Sequence, residues 1–186
     1  VQLLLLNLLY DMLCLVLPWD QVDQEICSRP LEWSGRTLGR FMRFFGPISS
    51  VFDILTFSYL FFVLCPSVCG GSFASLAAGG EQLRFVALFQ TGWFLESMWT
   101  QVLILHLLRT QKVPLLQSKP SGPVMLVTML GILFFTVLTF TPVGELIALT
   151  ALPLTYFGFL VVIVLLYLLL VTLAKSWYMK KYHKLL

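Results

Sequence analysis

Charge is what this chain has least of. Lys, Arg, Asp and Glu make up 11% of its 186 residues, 59% are apolar, and the mean hydropathy is +0.90. Ordinary soluble domains carry about 25% charged residues, so a soluble domain is excluded and an integral membrane protein is expected. Histidine is also scarce, with two residues, and the four cysteines show no spacing with histidine that reads as a zinc site. There is no Gly-rich phosphate loop, no nucleophile elbow and no cluster of metal ligands in an aqueous segment. These absences leave no evident catalytic apparatus in the residues given. Nothing in them predicts a nucleic-acid partner, an internal repeat or a low-complexity tract.

What the chain does have is long apolar runs. Five stand out, at about 1–17, 44–64, 85–108, 123–140 and 154–174. Each has roughly the 17–25 residues that a helix needs to cross the hydrocarbon. Backbone groups in lipid must be satisfied internally, and unbroken runs achieve that only as helices. The expected fold is therefore an all-α membrane protein with five transmembrane helices and the lipid bilayer as its surroundings. Pro18, Pro66 and Pro142 are expected to stop the first, second and fourth runs. Position 1 is Val, and no basic stretch precedes the first run. That run is not expected to be a signal peptide, and the chain reads as cut from a longer one.

The cations assign the sides. Arg29, Arg36, Arg40 and Arg43 precede the second run, and Arg109, Lys112 and Lys119 follow the third. Lys175, Lys180, Lys181 and Lys184 follow the fifth. Only Arg84 of the 12 Lys and Arg residues falls on the other side. The positive-inside rule makes 18–43 and 109–122 cytoplasmic loops, with the N-terminus outside and the C-terminus cytoplasmic. Cys65 and Cys69 then lie at the outer end of the second run, as a disulfide or as two thiols. Trp19, Trp33, Trp177, Tyr178 and Tyr182 fall near inner ends, where amphipathic rings partition.

The polar residues inside the runs carry the functional signal. Asn7 and Asp11 lie in the first run, four apart, on one helical face. A carboxylate at that depth costs several kcal/mol and marks a functional site by default. An amide oxygen beside a carboxylate is a hard donor set that suits Mg²⁺ or Ca²⁺. Glu96 in the third run has Ser97, Thr100 and Gln101 after it, and this face should look inward. Glu96 is open between an ion ligand and an interhelical hydrogen-bonding group. Gln101 is expected to bond between helices, Asp53 to be structural, and His106 to be a satisfied histidine near the inner end.

Several blocks share a pattern. Val1–Asp11 (VQLLLLNLLYD) resembles the sixth membrane helix of P-type cation ATPases, with Asn, three residues, then Asp. Leu17-Pro-Trp-Asp20 with Asp23, Gly39–Asp53, Ala87–Glu96, His106–Pro114 and Pro153–Phe157 follow in order. Together they resemble the bacterial magnesium-translocating P-type ATPases over essentially the whole chain. The resemblance implies helices six to ten of a ten-helix membrane domain in the bacterial plasma (inner) membrane. It implies a pump that imports Mg²⁺ by alternating access, driven by ATP on domains outside this chain. The N-terminal half of the same pump would be the partner. Carried over by residue, Asn7 and Asp11 match the cation ligands of the sixth helix, and Glu96 falls where calcium pumps place a ligand in the eighth. Calcium pumps follow the Asp with Gly-Leu-Pro, whereas Met12-Leu13-Cys14 stand here, so the helix is expected to continue past Asp11. A pump for Ca²⁺ or H⁺, and a stand-alone, non-enzymatic membrane protein, remain the alternatives.

Overall fold

The structure is a computed structural model that describes residues 1–20, 35–77, 79–110 and 120–182. The described residues are overwhelmingly helical and contain no strand. Helix α1 spans Gln2–Val16 and passes into a 3₁₀ turn at Leu17–Trp19. Helix α2 is Gly35–Tyr59, continued by a π turn at Leu60–Leu64 and by α3, Cys65–Cys69. Helix α4 spans Gly80–Leu108, α5 Gly122–Leu138, the short α6 Pro142–Leu146, and α7 Leu154–Tyr182. The stretches Gln2–Trp19, Gly35–Cys69 and Leu154–Lys181 are long and apolar enough to cross a membrane, and α5 is a shorter apolar helix. The 23–32 segment with its acids and Arg29, the cysteine Cys27, Trp33, Lys112, Lys119 and Lys184 lie outside the described residues.

Pro66 does not stop the second run. A proline ring clashes with the carbonyl four residues back in a regular α-helix. Here the π turn shifts the register, so that the Cys65 N–H bonds to Leu60 O. Pro66 then sits in the first turn of α3, where a missing N–H costs nothing. The helical path ends four residues later at Gly70, whose φ of 80° suits a residue without a Cβ. Cys65 and Cys69 are free thiols on this last turn. At its other end the helix reaches back to Gly35, well before the apolar run begins.

Helix α4 is the centre of the molecule, packed against α1, α2, α3, α5 and α7. Its polar residues Thr91, Glu96, Ser97, Thr100 and His106 are all buried, as the inward-facing reading requires. Gln101 is exposed instead, so it does not serve as an interhelical group. Helices α2 and α7 are joined along their length by aromatic pairs. Tyr59 stacks on Phe159 at 3.8 Å, Phe52 meets Tyr167 edge-on at 5.2 Å, and Phe44 stacks on Trp177 at 5.3 Å. Tyr178 is 1% exposed within this seam, so it is a core residue and not an interfacial anchor. Two glycines allow close helix approach: a Cβ on Gly92 would lie 2.6 Å from Leu60 Cδ2, and one on Gly131 would lie 2.7 Å from Leu9 Cδ1.

Helix ends that meet define one basic end of the bundle. Asp20 reaches Arg109 and Ser121, Lys175 Nζ donates to Leu107 O at 2.6 Å, and Phe44 and Phe45 pack on Tyr178. Arg36, Arg40, Arg43, Lys180 and Lys181 belong to the helix ends that meet there. At the opposite end Gln2 Nε2 donates to Ala148 O at 2.9 Å, and the Thr150 N–H donates to Thr91 Oγ1 at 3.0 Å.

Candidate ion site

Helix α1 is continuous through Asp11, because Met12-Leu13-Cys14 contains no helix breaker. Its buried residues are Leu6, Leu9 and Leu13, which face α4 and α5. Asn7 and Asp11 are exposed on the other side, with Leu4, Leu8 and Leu15 around them at 71%, 51% and 71% exposure. Neither polar side chain hydrogen-bonds to another described residue. A face that mixes leucines with an amide and a carboxylate suits neither lipid nor water. Lipid accepts the leucines but penalises the carboxylate, and water accepts the carboxylate but not the leucines.

Glu96 lies elsewhere. It is 1% exposed inside the bundle, and its Oε2 has no hydrogen-bond partner. Leu60 touches Gly92. One helical turn toward the basic end, on the same faces, stand Thr56 of α2 and Glu96 of α4. Thr56 is fully buried, and its Oγ1 is also without a partner. This is unusual in this chain: Thr91, Thr100, Thr128 and Thr172 each bond to a carbonyl of their own helix. Asp53, Glu96 and Tyr167 are near enough to one another to interact electrostatically. The indole N–H of Trp93 interacts with Asp53 without closing a hydrogen bond. Tyr156 donates its hydroxyl to Gly92 O.

The structure therefore brings Asn7 and Asp11 together on one face, but it puts Glu96 in a separate interior cluster with Asp53, Thr56, Tyr156 and Tyr167. No group of three His, Cys, Asp or Glu converges among the described residues. His106 is paired through Nε2 with Thr128 Oγ1 at 2.8 Å. Thr56 and the two tyrosines were not singled out by sequence. Threonine and tyrosine in an apolar run are ordinary residues, and only the helix register reveals that they face the carboxylates.

The family model described as "Cation transporting ATPase, C-terminus" matches residues 1–177. The chain belongs to this cation-transporting ATPase C-terminal family. Among its relatives, the "Magnesium-transporting ATPase, P-type 1" of Salmonella typhimurium is 40% identical over 182 residues, which is 98% of this chain and 18% of that protein. The protein of the same name in Escherichia coli K12 is also 40% identical over 182 residues, covering 98% of this chain and 19% of its own. The chain thus spans about a fifth of the length of the curated relatives it matches. Its apolar helices fit the C-terminal membrane region of that family.

Proposed function

We propose that this chain is the C-terminal membrane part of an ATP-driven P-type pump that imports Mg²⁺ across the bacterial plasma membrane. Asn7 and Asp11 supply part of the intramembrane ion site. The observation that carries the reading is the outward face of α1, where a paired amide and carboxylate stand among leucines with no partner in the described chain. The relatives' names support Mg²⁺ as the transported ion. Helices from the N-terminal half of the pump would cover this face and complete the ligand set. Phosphorylation on the domains that bind ATP would move those helices, so that the site opens first to one side and then to the other.

The five-span topology belongs to the same proposal. The basic end faces the cytoplasm, and Val1 starts outside. Mg²⁺ demands near-octahedral oxygen ligands and gives up its water reluctantly. A site with few protein ligands and retained water suits a straight α1 that presents one amide and one carboxylate on this face. Glu96, buried on the inward face of α4, is a secondary candidate ligand. In the full-length pump, Asp11→Asn should abolish Mg²⁺-stimulated ATP hydrolysis while the thermal unfolding midpoint stays at the wild-type value. Near-normal stimulation in this variant overturns the site. Stimulation of the wild-type pump by Ca²⁺ or by acid, but not by Mg²⁺, overturns the ion.

A further inference from the structure

Helix α1 does not fray at its basic end. Pro18 ends the α-helix in a 3₁₀ turn, and Asp20 adopts an extended backbone directly after it. Its carboxylate then reaches two other segments. Oδ2 accepts a charge-assisted hydrogen bond from Arg109 Nη1, just beyond the end of α4. Oδ1 accepts the N–H of Ser121 at 2.8 Å, at the N-cap of α5. The side chains of Arg109 and Asp20 are 6% and 8% exposed.

We propose that Asp20 and Arg109 are a positioning pair for the ion site. They fix the rotation and depth of α1, and with it Asn7 and Asp11, against α4 and α5. This inference rests on the reading of α1 as the ion helix.

Three observations carry it. First, only helix and one tight turn separate Asp11 from Asp20. The segment has no flexible joint, so a rotation at one end is a rotation at the other. Second, α1 is gripped from the same side at three heights: Gln2 to Ala148, Leu9 against Gly131, and Asp20 to Ser121. All three contacts leave the Asn7/Asp11 face outward. Third, the pair is poor value as a stabiliser. Desolvating two charges offsets most of their attraction, and apolar replacement of such a pair is often neutral. What a buried pair does supply is register: its directional bonds admit one arrangement of three helix ends.

The test uses the full-length pump in membranes, assayed for Mg²⁺-stimulated ATP hydrolysis over a range of Mg²⁺. The double variant Asp20→Leu with Arg109→Leu removes both charges of the pair together. It should keep the wild-type unfolding midpoint. Its apparent KM for Mg²⁺ should rise about 10-fold or more, with kcat at saturating Mg²⁺ within about 2-fold, because a ligand displaced by even 1 Å weakens a site strongly. Arg109→Lys, which keeps a charge for Asp20, should restore most of the affinity. Wild-type affinity in the double variant overturns the proposal, since a merely structural pair predicts that result. Should the double variant not fold, Asp20→Asn carries the same criterion, because it keeps the shape and the acceptor for Ser121. A wild-type pump that Mg²⁺ does not stimulate defeats the assigned function instead, so the two failures are separable.

Discussion

Two polar faces in this molecule look alike as sequence and differ as structure. Helix α1 carries Asn7 and Asp11, and α4 carries Glu96, Ser97 and Thr100. Each places one carboxylate in an apolar helix, with another polar residue one turn away. The α4 face is closed inside the bundle, where Thr100 Oγ1 bonds to Glu96 O at 2.9 Å and His106 is held by Thr128. The α1 face points away from every described helix. An apolar helix can thus spend a polar residue in two ways. It can fasten its own bundle, or it can hold the group ready for something the bundle lacks. Burial separates the two, and spacing does not.

If the α1 face is the ion site, its residues should govern affinity and leave stability untouched. Asn7→Leu removes one neutral oxygen ligand and adds a leucine to a leucine-rich face. Hydrogen bonds to charged groups are worth about 1.5–3 kcal/mol, and a ligand bond of that size corresponds to about a 10- to 100-fold loss of apparent Mg²⁺ affinity. The unfolding midpoint should stay or rise. A titration of ATPase activity against Mg²⁺, paired with thermal unfolding, checks both. An affinity unchanged by Asn7→Leu overturns the assignment of the α1 face as the ion site.

Glu96 is the interior counterpart of Asp11. Glu96→Gln keeps the shape and replaces a buried carboxyl group whose Oε2 has no hydrogen-bond partner among the described residues. Burying an amide costs far less than burying a carboxylate, so the variant should be at least as stable as the wild type. As a secondary ligand it should change Mg²⁺ affinity by about 3-fold, well short of the loss expected at Asn7. A loss as complete as that of Asp11→Asn would place Glu96 in the ion site itself. The rest of the pump would then have to open α4 to reach it.

Much of this architecture is legible from the residues. The apolar runs mark every long helix, Pro18 marks the end of α1, and the polar spacing of α4 marks an inward face. The departures have a common cause, which is that they depend on contacts far apart in sequence. Pro66 breaks a helix by a local rule, and a π turn packed against Gly92 of α4 evades that rule. Lys175 reads as one more topology cation, yet it is 3% exposed and bonded to Leu107 O. Asp20 and Arg109 are 89 residues apart, and nothing in their spacing pairs them. For the site, sequence shows that Asn7 and Asp11 share a face, but not which way the face turns. It shows Glu96 as polar and inward, but not that Thr56 stands at its level.

The smallest functional effect should come from the most thoroughly internal contact. Thr128 accepts or donates at His106 Nε2 and also bonds to Val124 O at 2.8 Å. Thr128→Val keeps the volume and removes the hydroxyl, which leaves a buried imidazole nitrogen without a partner. Leaving such a group unsatisfied costs about 1–3 kcal/mol, read as a lowered unfolding midpoint. The apparent Mg²⁺ affinity and the turnover per folded molecule should remain those of the wild type, because the contact joins α4 to α5 and touches neither Asn7 nor Asp11. An affinity loss without a stability loss would mean that the interior face of α4 also tunes the ion site. The division between fastening residues and waiting residues would then fail at the place where it is drawn most sharply.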